Sequence, residues 1–354
     1  MNKFLYNLSS IVQSNFSRLS APYKLTFAAT YKCNSRCTIC NIWKKPYKQE
    51  LTLKQIQTFF QKNTFFTWVN LTGGELVLRN DLIKIIKVIL RTQKKLLFLN
   101  FPTNGLFTDK IVTAIQQMLA LHPPHLLVSV SLDGPKNLHD KLRGINGNWE
   151  RAVETYKQLK KMRSSHFDCY FGMTISSYNY QYIEQTYKDL KEEIPQLQRS
   201  DIHFNIVHQS SHYYGNDEKN LTLNQSMIKS IQRYNSKKPF AWTKIALIEK
   251  IYQNLIQKYI QTKKTPISCL ALSSSIFLDP YGNIYPCAMW DYVLGNLINN
   301  SWSLMKMWNS NKSLQALFLL KQKKCANCWT PCEAYQSIIG NIGKPIIWRA
   351  LWHT

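Results

Sequence analysis

The stretch Cys33-Asn34-Ser35-Arg36-Cys37-Thr38-Ile39-Cys40 carries three cysteines within eight residues, directly after an apolar run typical of a β-strand. Thiolates this close together can share one metal centre, whereas a disulfide would use two of them and leave the third alone. A zinc site usually takes four protein ligands, and this loop offers no fourth cysteine and no histidine. Three thiolates can instead hold three irons of a cubane and leave the fourth iron open to another ligand.

The composition is that of a globular protein, since 45% of the 354 residues are hydrophobic and 13% are aromatic. No apolar run approaches the roughly 20 residues that a transmembrane helix needs, and polar residues interrupt the N-terminal segment, so we expect a cytoplasmic protein. Nine cysteines in such a protein argue against structural disulfides. Eight of them fall in two clusters, as metal ligands do, and the ninth, Cys169, is expected to be an inert core thiol.

The formal net charge of +25 favours an acidic partner, such as a phosphorylated substrate, a nucleic acid, an acidic peptide or an anionic membrane surface. A coding bias toward Lys, Asn, Ile and Tyr explains the same charge without any functional role, and it is the simpler explanation. Residues 1–22 carry apolar residues at helical spacing and predict an amphipathic helix. This helix is expected to pack on the rest of the protein, with attachment to a membrane surface as the alternative.

Strand-like and helical segments alternate through residues 23–215. The apolar runs of strand type are 24–31, 67–71, 96–101, 126–132, 170–175 and 202–207. The segments of helical period between them are 53–62, 82–92, 109–121, 149–161 and 180–192, and Thr52 and Asp81 occupy N-cap positions. Six such repeats predict a parallel sheet with right-handed crossovers, that is, an α/β fold with a partial (β/α)6 TIM-like barrel.

Polar and glycine residues follow the predicted strands, at the end of a barrel where active sites form. The first strand leads into the cysteine loop, the second into Thr72-Gly73-Gly74-Glu75, and the third into Thr103-Asn104-Gly105. The fourth ends in SLDG (residues 131–134) and is followed by Arg143-Gly144. The sequence therefore predicts a single functional site at the carboxyl ends of the strands.

Four motifs resemble those of the radical SAM superfamily, over about residues 23–210. In chain order they are the cysteine loop (CNSRCTICNIW), TGGE, SLDG and the downstream Arg-Gly pair. The resemblance implies a [4Fe–4S] cluster whose open iron is chelated by S-adenosylmethionine (SAM). One electron then cleaves SAM to methionine and a 5′-deoxyadenosyl radical, which abstracts hydrogen from the substrate. A flavodoxin- or ferredoxin-like reductant is the implied electron source.

The same resemblance implies the cofactor contacts. Cys33, Cys37 and Cys40 would bind the cluster, and Gly73, Gly74 and Glu75 would meet the SAM amine, although Leu76 replaces the proline that often follows. Further SAM contacts are implied as follows: Ser131 and Asp133 to the ribose, with Ser129 as a second hydroxyl candidate, Arg143 to the carboxylate, Ile39 near the adenine, and Asn179 after the fifth strand. Catalytic residues are not identified at this stage, although His208, His212, Tyr213 and Tyr214 lie where substrate would sit.

A second cysteine cluster marks a smaller C-terminal unit. Its members are Cys269, Cys287, Cys325, Cys328 and Cys332, and Asp279–Cys287 reads as a β-hairpin. A hairpin with a C-x2-C pair is also how zinc ribbons are built, so zinc is an alternative. The spacing C-x12-G-x4-C followed by C-x2-C resembles the SPASM and Twitch modules of radical SAM enzymes. It departs from the seven-cysteine SPASM pattern and implies one auxiliary [4Fe–4S] cluster bound by Cys269, Cys287, Cys325 and Cys328, with Cys332 as a spare or alternate ligand.

We therefore expect four regions: an N-terminal helix (1–22), a barrel (23–215), a helical connector (216–265) and a small α+β Twitch/SPASM-like module (266–354). The predicted activity is hydrogen abstraction from a peptide or small polar substrate, followed by electron transfer to the auxiliary cluster. Dehydrogenation or group transfer on a small metabolite is the alternative, and a zinc or iron–sulfur nucleic-acid-binding protein is a remote one. A sulfatase-maturing role is disfavoured, because Ala288 stands where some relatives carry a basic aspartate.

Overall fold

The computed structural model describes residues 10–11, 13–14, 16–46, 48–219, 221–239 and 243–352. Half of the helix predicted for residues 1–22, namely residues 1–9, 12 and 15, lies outside these ranges. Among the described helices, none combines the length and the apolar character that crossing a bilayer requires.

A single nine-stranded sheet forms the centre of the molecule. Its strands are β1 (Lys24–Thr30), β2 (Trp68–Gly73), β3 (Phe98–Thr103), β4 (Leu126–Ser131), β5 (Phe167–Ile175), β6 (Ile202–Ile206), β7 (Ser275–Leu278), β8 (Asn283–Tyr285) and β9 (Gly295–Asn296). The strand order is β6-β5-β4-β3-β2-β1-β7-β8-β9, and β1 to β6 are all parallel. The predicted α/β fold with six parallel strands in chain order, as in a partial (β/α)6 barrel, is confirmed.

The helices that cross over between these strands bury their apolar faces on the sheet. They are α1 (Leu53–Lys62), α2 (Leu82–Thr92), α3 (Thr108–Leu119), α4 (Lys136–Arg143), α5 (Asn148–Lys160) and α6 (Ile183–Glu193). The sequence predicted α1 and α2 with these bounds, whereas α4, a short helix that follows SLDG, was not predicted.

The remaining helices form the C-terminal half with β7 to β9. They are α7 (Gln225–Asn235), α8 (Lys244–Thr262), α9 (Leu304–Trp308), α10 (Asn311–Lys321), α11 (Pro331–Gly340) and α12 (Pro345–Trp352). Helix α8 lies in the segment predicted as a connector, and it packs against α11 and α12.

Strand β7 pairs in parallel with β1, so the C-terminal unit extends the sheet of the barrel. This continuity was not predicted from the sequence. The predicted hairpin is present as the antiparallel pair β7–β8, and Gly282 in its turn has a φ of +85°. The turn is closed by Asp279, whose carboxylate accepts hydrogen bonds from the backbone N–H groups of Tyr281 and Asn283.

The two predicted N-caps differ in the structure. Thr52 caps α1 in a reciprocal capping box with Gln55. Asp81 precedes α2 but makes no capping hydrogen bond, because its carboxylate forms a two-fold pair with the Arg79 guanidinium at 2.8 Å. Asp81 is thus the N-cap residue of α2, as predicted, although its side chain does not bond to the helix backbone.

Side chains alternate regularly on the strands that face the inside of the barrel. In β4, β5 and β6 every second residue is fully buried between sheet and helices, while the others are only partly buried. The partly buried set lines an internal cavity and includes Ser129, Ser131, Tyr170 and His203. The barrel therefore has an apolar outer layer and a polar inner wall.

Candidate functional site

A cavity of about 330 Å³ opens at the carboxyl ends of the parallel strands. Three groups of predicted site residues lie on its wall. They are the cysteines Cys33, Cys37 and Cys40, the residues Gly73, Gly74 and Glu75, and the side chains of Ile39, Ser129, Ser131 and Arg143. Residues far apart in sequence are thus brought to one site, as expected for a parallel barrel.

The cysteine loop is held in place from two sides. The backbone N–H groups of Arg36 and Thr38 donate to the carbonyls of Arg143 and Leu142, at the end of α4. From the other side, the Asn216 side-chain amide donates to the Ile39 carbonyl at 2.8 Å. Gly144 is required at the first contact, because a Cβ there would lie 2.7 Å from the Arg36 carbonyl oxygen.

The paired glycines bring β2 close to the start of the cysteine loop. The N–H groups of Gly74 and Glu75 donate to the carbonyls of Thr30 and Lys32, both at 2.8 Å. A Cβ on Gly73 would lie 2.1 Å from the Thr30 oxygen, and one on Gly74 would lie 2.0 Å from the Lys32 oxygen. Both positions therefore need glycine for this close approach.

Glu75 is buried at the cavity wall and is hydrogen-bonded to the third strand. Its carboxylate accepts from the Thr103 hydroxyl at 3.0 Å and from the Asn104 N–H at 2.7 Å. Burial raises the pKa of Glu75 to about 7, although these hydrogen bonds oppose the shift. A bound ammonium group would stabilise the ionised form of this carboxylate.

Arg143 lies between Asp133 and Cys37, with 13% of its side chain exposed. One of its nitrogens lies 2.7 Å from the Asp133 carboxylate, and another donates to the Cys37 sulfur at 3.8 Å. The second Asp133 oxygen accepts from the Thr174 N–H at 2.8 Å. Both Asp133 oxygens are thus engaged within the protein, so this residue orients Arg143 at the cavity wall.

Asn179 lies behind the wall in a similar way. Its amide group donates to the carbonyls of Asp133 and Thr174, and its oxygen accepts from the Ser176 N–H. The hydrogen bonds of Asn179 therefore fix the loop after β5. The predicted contacts of Asp133 and Asn179 with SAM remain predictions, whereas Ser131, Ser129 and Ile39 face the cavity.

The three loop thiols are strongly desolvated. Burial raises the pKa of Cys33 to about 11 and that of Cys40 to about 12, and it also raises the pKa of Cys37, whose shift the nearby Arg143 reduces. Such thiols stay protonated unless a metal stabilises the thiolate, so metal binding would release their protons.

The second set of cysteines lies in the same hydrophobic cluster as the loop. Cys287 and Cys328 are buried in this cluster, and Cys269 and Cys325 pack against it together with Cys33 and Cys40. Tyr31, Tyr213 and Phe277 fill the space among them. Both sets of thiols therefore surround one buried region between β1 and the C-terminal hairpin.

Cys332 is placed differently from the other four C-terminal cysteines, because it lines the cavity. It is the second residue of α11, and its carbonyl accepts a hydrogen bond from the buried Lys24 ammonium. This position favours a role for Cys332 apart from the auxiliary ligand set.

Of the four residues that the sequence placed near the substrate, Tyr214 and His208 line the cavity. The His208 ring is fully hydrogen-bonded within the protein, since one nitrogen donates to the Ile206 carbonyl at 2.7 Å and the other accepts from the Trp329 N–H at 2.8 Å. His212 stacks on Tyr285 at 4.3 Å, and the Tyr213 hydroxyl lies 2.6 Å from that of Thr72. His208 and Tyr213 therefore act as structural links.

Asn104 is a site residue that the sequence analysis did not assign. Its side-chain amide donates to the Asn34 oxygen at 2.7 Å and to the Ser35 hydroxyl at 2.9 Å, which anchors the cysteine loop to the end of β3. The sequence signal that could have identified Asn104 was its position in Thr-Asn-Gly, directly after a predicted strand.

Two family models match the chain. The Radical SAM superfamily model matches residues 28–190. These residues form a radical SAM domain. The SPASM model, described as an iron-sulfur cluster-binding domain, matches residues 269–329, and this range contains four of the C-terminal cysteines but ends before Cys332.

Two curated relatives from Bacillus subtilis (strain 168) are similar in sequence. The antilisterial bacteriocin subtilosin biosynthesis protein AlbA is 22% identical over 341 residues, which cover 90% of this chain and 70% of AlbA. The sporulation killing factor maturation protein SkfB is 31% identical over 163 residues, which cover 45% of this chain and 37% of SkfB.

Among solved structures, the fold is similar to that of Streptococcus suis SuiB bound to S-adenosylmethionine. The TM-score is 0.59 at 14% identity, and the match covers 87% of this chain and 70% of SuiB. SuiB has also been solved bound to the precursor peptide SuiA, with a TM-score of 0.57 at 13% identity, over 96% of this chain and 77% of SuiB.

As a radical SAM enzyme the protein uses SAM with a [4Fe–4S] cluster, and the SPASM match implies auxiliary cluster binding as well. The site fits these groups, because three thiols face one cavity beside a buried carboxylate and Arg143, which suit an amine and a carboxylate. In the described ranges no three His, Cys, Asp or Glu side chains converge on a single-ion site. A cubane needs no such convergence, since each thiolate binds a different iron.

Proposed function

We propose that the enzyme oxidises a peptide by removing two hydrogens, forming a cross-link or a double bond. The observation that carries this proposal is that two sets of thiols share one buried region, with the cavity opening on the first set. When bound, the first cluster would supply the electron that generates the 5′-deoxyadenosyl radical, and the auxiliary cluster would take an electron from the substrate.

The ligand assignment belongs to the same proposal. Cys33, Cys37 and Cys40 would hold the SAM-binding cluster, and the auxiliary cluster would be held by Cys269, Cys287, Cys325 and Cys328. Glu75 would accept hydrogen bonds from the SAM amine, Arg143 would bind its carboxylate, and Ser131 would bind the ribose. Each of these three side chains lies on the cavity wall.

The names of the relatives support a peptide substrate. AlbA and SkfB are named for the biosynthesis and maturation of a bacteriocin and a killing factor, and SuiB binds a precursor peptide. A small polar metabolite is the second candidate, because a cavity of about 330 Å³ lies at the lower end of the range for small-molecule sites. A flavodoxin- or ferredoxin-like reductant is the proposed electron donor.

The proposal is tested with anaerobically reconstituted enzyme, a chemical reductant, SAM and a candidate precursor peptide encoded beside its gene. We expect 5′-deoxyadenosine in stoichiometric amount with a peptide that has lost two hydrogens, as measured by chromatography and mass spectrometry. Cleavage of SAM with an unchanged peptide and an oxidised metabolite would favour the second candidate. Absence of 5′-deoxyadenosine would contradict the proposed activity itself.

A further inference from the structure

A histidine and a buried carboxylate lie together on the inner wall of the barrel, away from both sets of thiols. His203 is the second residue of β6 and lines the cavity. Its Nδ1 lies 4.0 Å from the Oε2 of Glu249, which comes from α8 and is almost fully buried. Nothing in the motifs of the sequence marks either residue.

The register of the sheet places His203 level with the proposed ribose contact. Ser131 pairs with Gly172, and Gly172 pairs with His203, so the three residues form one row across β4, β5 and β6. Neighbouring strands lie about 4.8 Å apart, which puts His203 roughly 10 Å from Ser131 along the sheet. Gly172 has no side chain, and the Ser129 hydroxyl lies against it on the cavity wall, 2.4 Å from where a Cβ would be.

The imidazole is fixed in orientation. Its ring stacks on Tyr170 at a centroid distance of 3.9 Å and an angle of 19°. Glu249 is itself held by the Gln253 amide and by the Tyr335 hydroxyl, which donate to its two oxygens. A carboxylate beside Nδ1 favours the proton on that nitrogen and leaves Nε2 as the basic atom. In the described part of the chain, the His203 ring forms no hydrogen bond, so Nε2 is available to a ligand.

We infer that His203 is the general base that accepts a proton from the substrate during its oxidation, and that Glu249 is its positioning residue. The inference rests on the proposed function, which requires a base. One substrate hydrogen leaves as an atom to the 5′-deoxyadenosyl radical. The second would leave as a proton to Nε2. Of the two electrons left from its bond, one would pass to the auxiliary cluster and the other would pair with the radical electron in one new bond.

The charged groups around His203 set its protonation state. Burial lowers the pKa of His203, and the Glu249 carboxylate opposes this shift. Lys238 lowers it further, and Asp201 and Asp168 raise it. The imidazole is therefore neutral near pH 7, as a base must be, and Glu249 stabilises the imidazolium that forms.

The first test measures the pair directly in the reconstituted enzyme, by NMR titration of labelled histidine, with the His203 signal assigned from its loss in His203→Asn. We expect Glu249→Gln to lower the pKa of His203 by about one unit or more, since it removes a stabilising charge. The control His122→Asn, at an exposed loop position, should leave that pKa unchanged. An unchanged pKa in Glu249→Gln would overturn the pairing.

The second test uses SAM and the peptide that the wild-type enzyme oxidises. We expect His203→Asn to form 5′-deoxyadenosine within about twofold of wild type, while oxidised product falls by about 100-fold. Equal losses of both would show that His203 acts in folding or SAM binding, and full product formation would show that it is no base. If the wild type oxidises no peptide, the proposed function fails and the base has no role, whereas the NMR result still decides the pairing.

Discussion

At the scale of single residues, the buried pair of Arg143 and Asp133 links the cofactor site to the fold. Arg143 faces the cavity and lies beside Cys37, and its partner Asp133 is held by the Thr174 N–H. Removing one partner of a buried ion pair leaves an uncompensated buried charge. This destabilises the fold more than replacing both partners does.

We expect Arg143→Gln to destabilise the protein by about 3 kcal/mol or more, because Asp133 is left buried without its partner. The double variant Asp133→Asn/Arg143→Gln should recover part of this loss. As a control, Lys157→Gln removes a partly exposed partner of Glu193 and should cost less than about 1 kcal/mol. Urea unfolding measures all three, and additive losses in the double variant would contradict the coupling.

His208 carries a pH dependence of stability. Burial lowers its pKa to about 4, so the folded protein keeps it neutral while the unfolded chain, with a pKa near 6.5, takes up a proton. The stability that it contributes is present above pH 6.5 and is lost as the pH falls toward 4. Between pH 8 and pH 5 this loss amounts to about 2 kcal/mol.

We therefore expect the free energy of unfolding of His208→Gln to fall by about 2 kcal/mol less than that of wild type between pH 8 and pH 5. The difference isolates His208 from other buried histidines, which titrate in both proteins. Urea unfolding of the metal-free protein at the two pH values measures it, with His122→Gln as an exposed control that should follow wild type. Identical pH slopes for His208→Gln and wild type would refute the assignment.

At the scale of elements, the sequence predicted the site better than its surroundings. The cysteine loop, Gly-Gly-Glu and Ser131 could be placed together because each follows a parallel strand, and such strands end on one rim. Side-chain directions that depend on tertiary packing could not be predicted from the sequence in the same way. Asp81 stands at an N-cap position, but its carboxylate pairs with Arg79, and the sequence does not show which bond is stronger.

Cys332 is a second case in which packing decides the role. The spacing left open whether it binds the auxiliary cluster, since it follows Cys328 by only four residues. In the structure Cys332 lies in the first turn of α11 and lines the cavity, and its backbone carbonyl accepts a hydrogen bond from Lys24. The contact between Lys24 and Cys332 joins residues more than 300 positions apart in the chain. No local sequence pattern reveals such a contact.

The iron content of cysteine variants tests this distinction. We expect about eight irons in the reconstituted wild type and about four in Cys287→Ser, because one cubane loses a ligand. Cys332→Ser should keep about eight. A loss of about four irons in Cys332→Ser would show that it is an auxiliary ligand.

At the scale of the whole molecule, the cofactor barrel and the C-terminal unit share one sheet. Strand β1 carries the cysteine loop at its end, and it is paired on one side with β2 and on the other with β7. All residues of β1 are buried. Removing β7 would expose the edge of this strand together with its apolar side chains, and such an edge favours aggregation.

We therefore expect a fragment that ends at residue 265 to aggregate or remain partly unfolded, although it contains every strand of the barrel. Size-exclusion chromatography and circular dichroism of the purified fragment measure this outcome. Co-expression with residues 266–354 as a separate chain should restore a soluble complex, because the missing contribution is strand pairing rather than the covalent link. A monomeric fragment with the melting temperature of the whole chain would show that β7 is dispensable, and that the cysteine loop is held by the barrel alone.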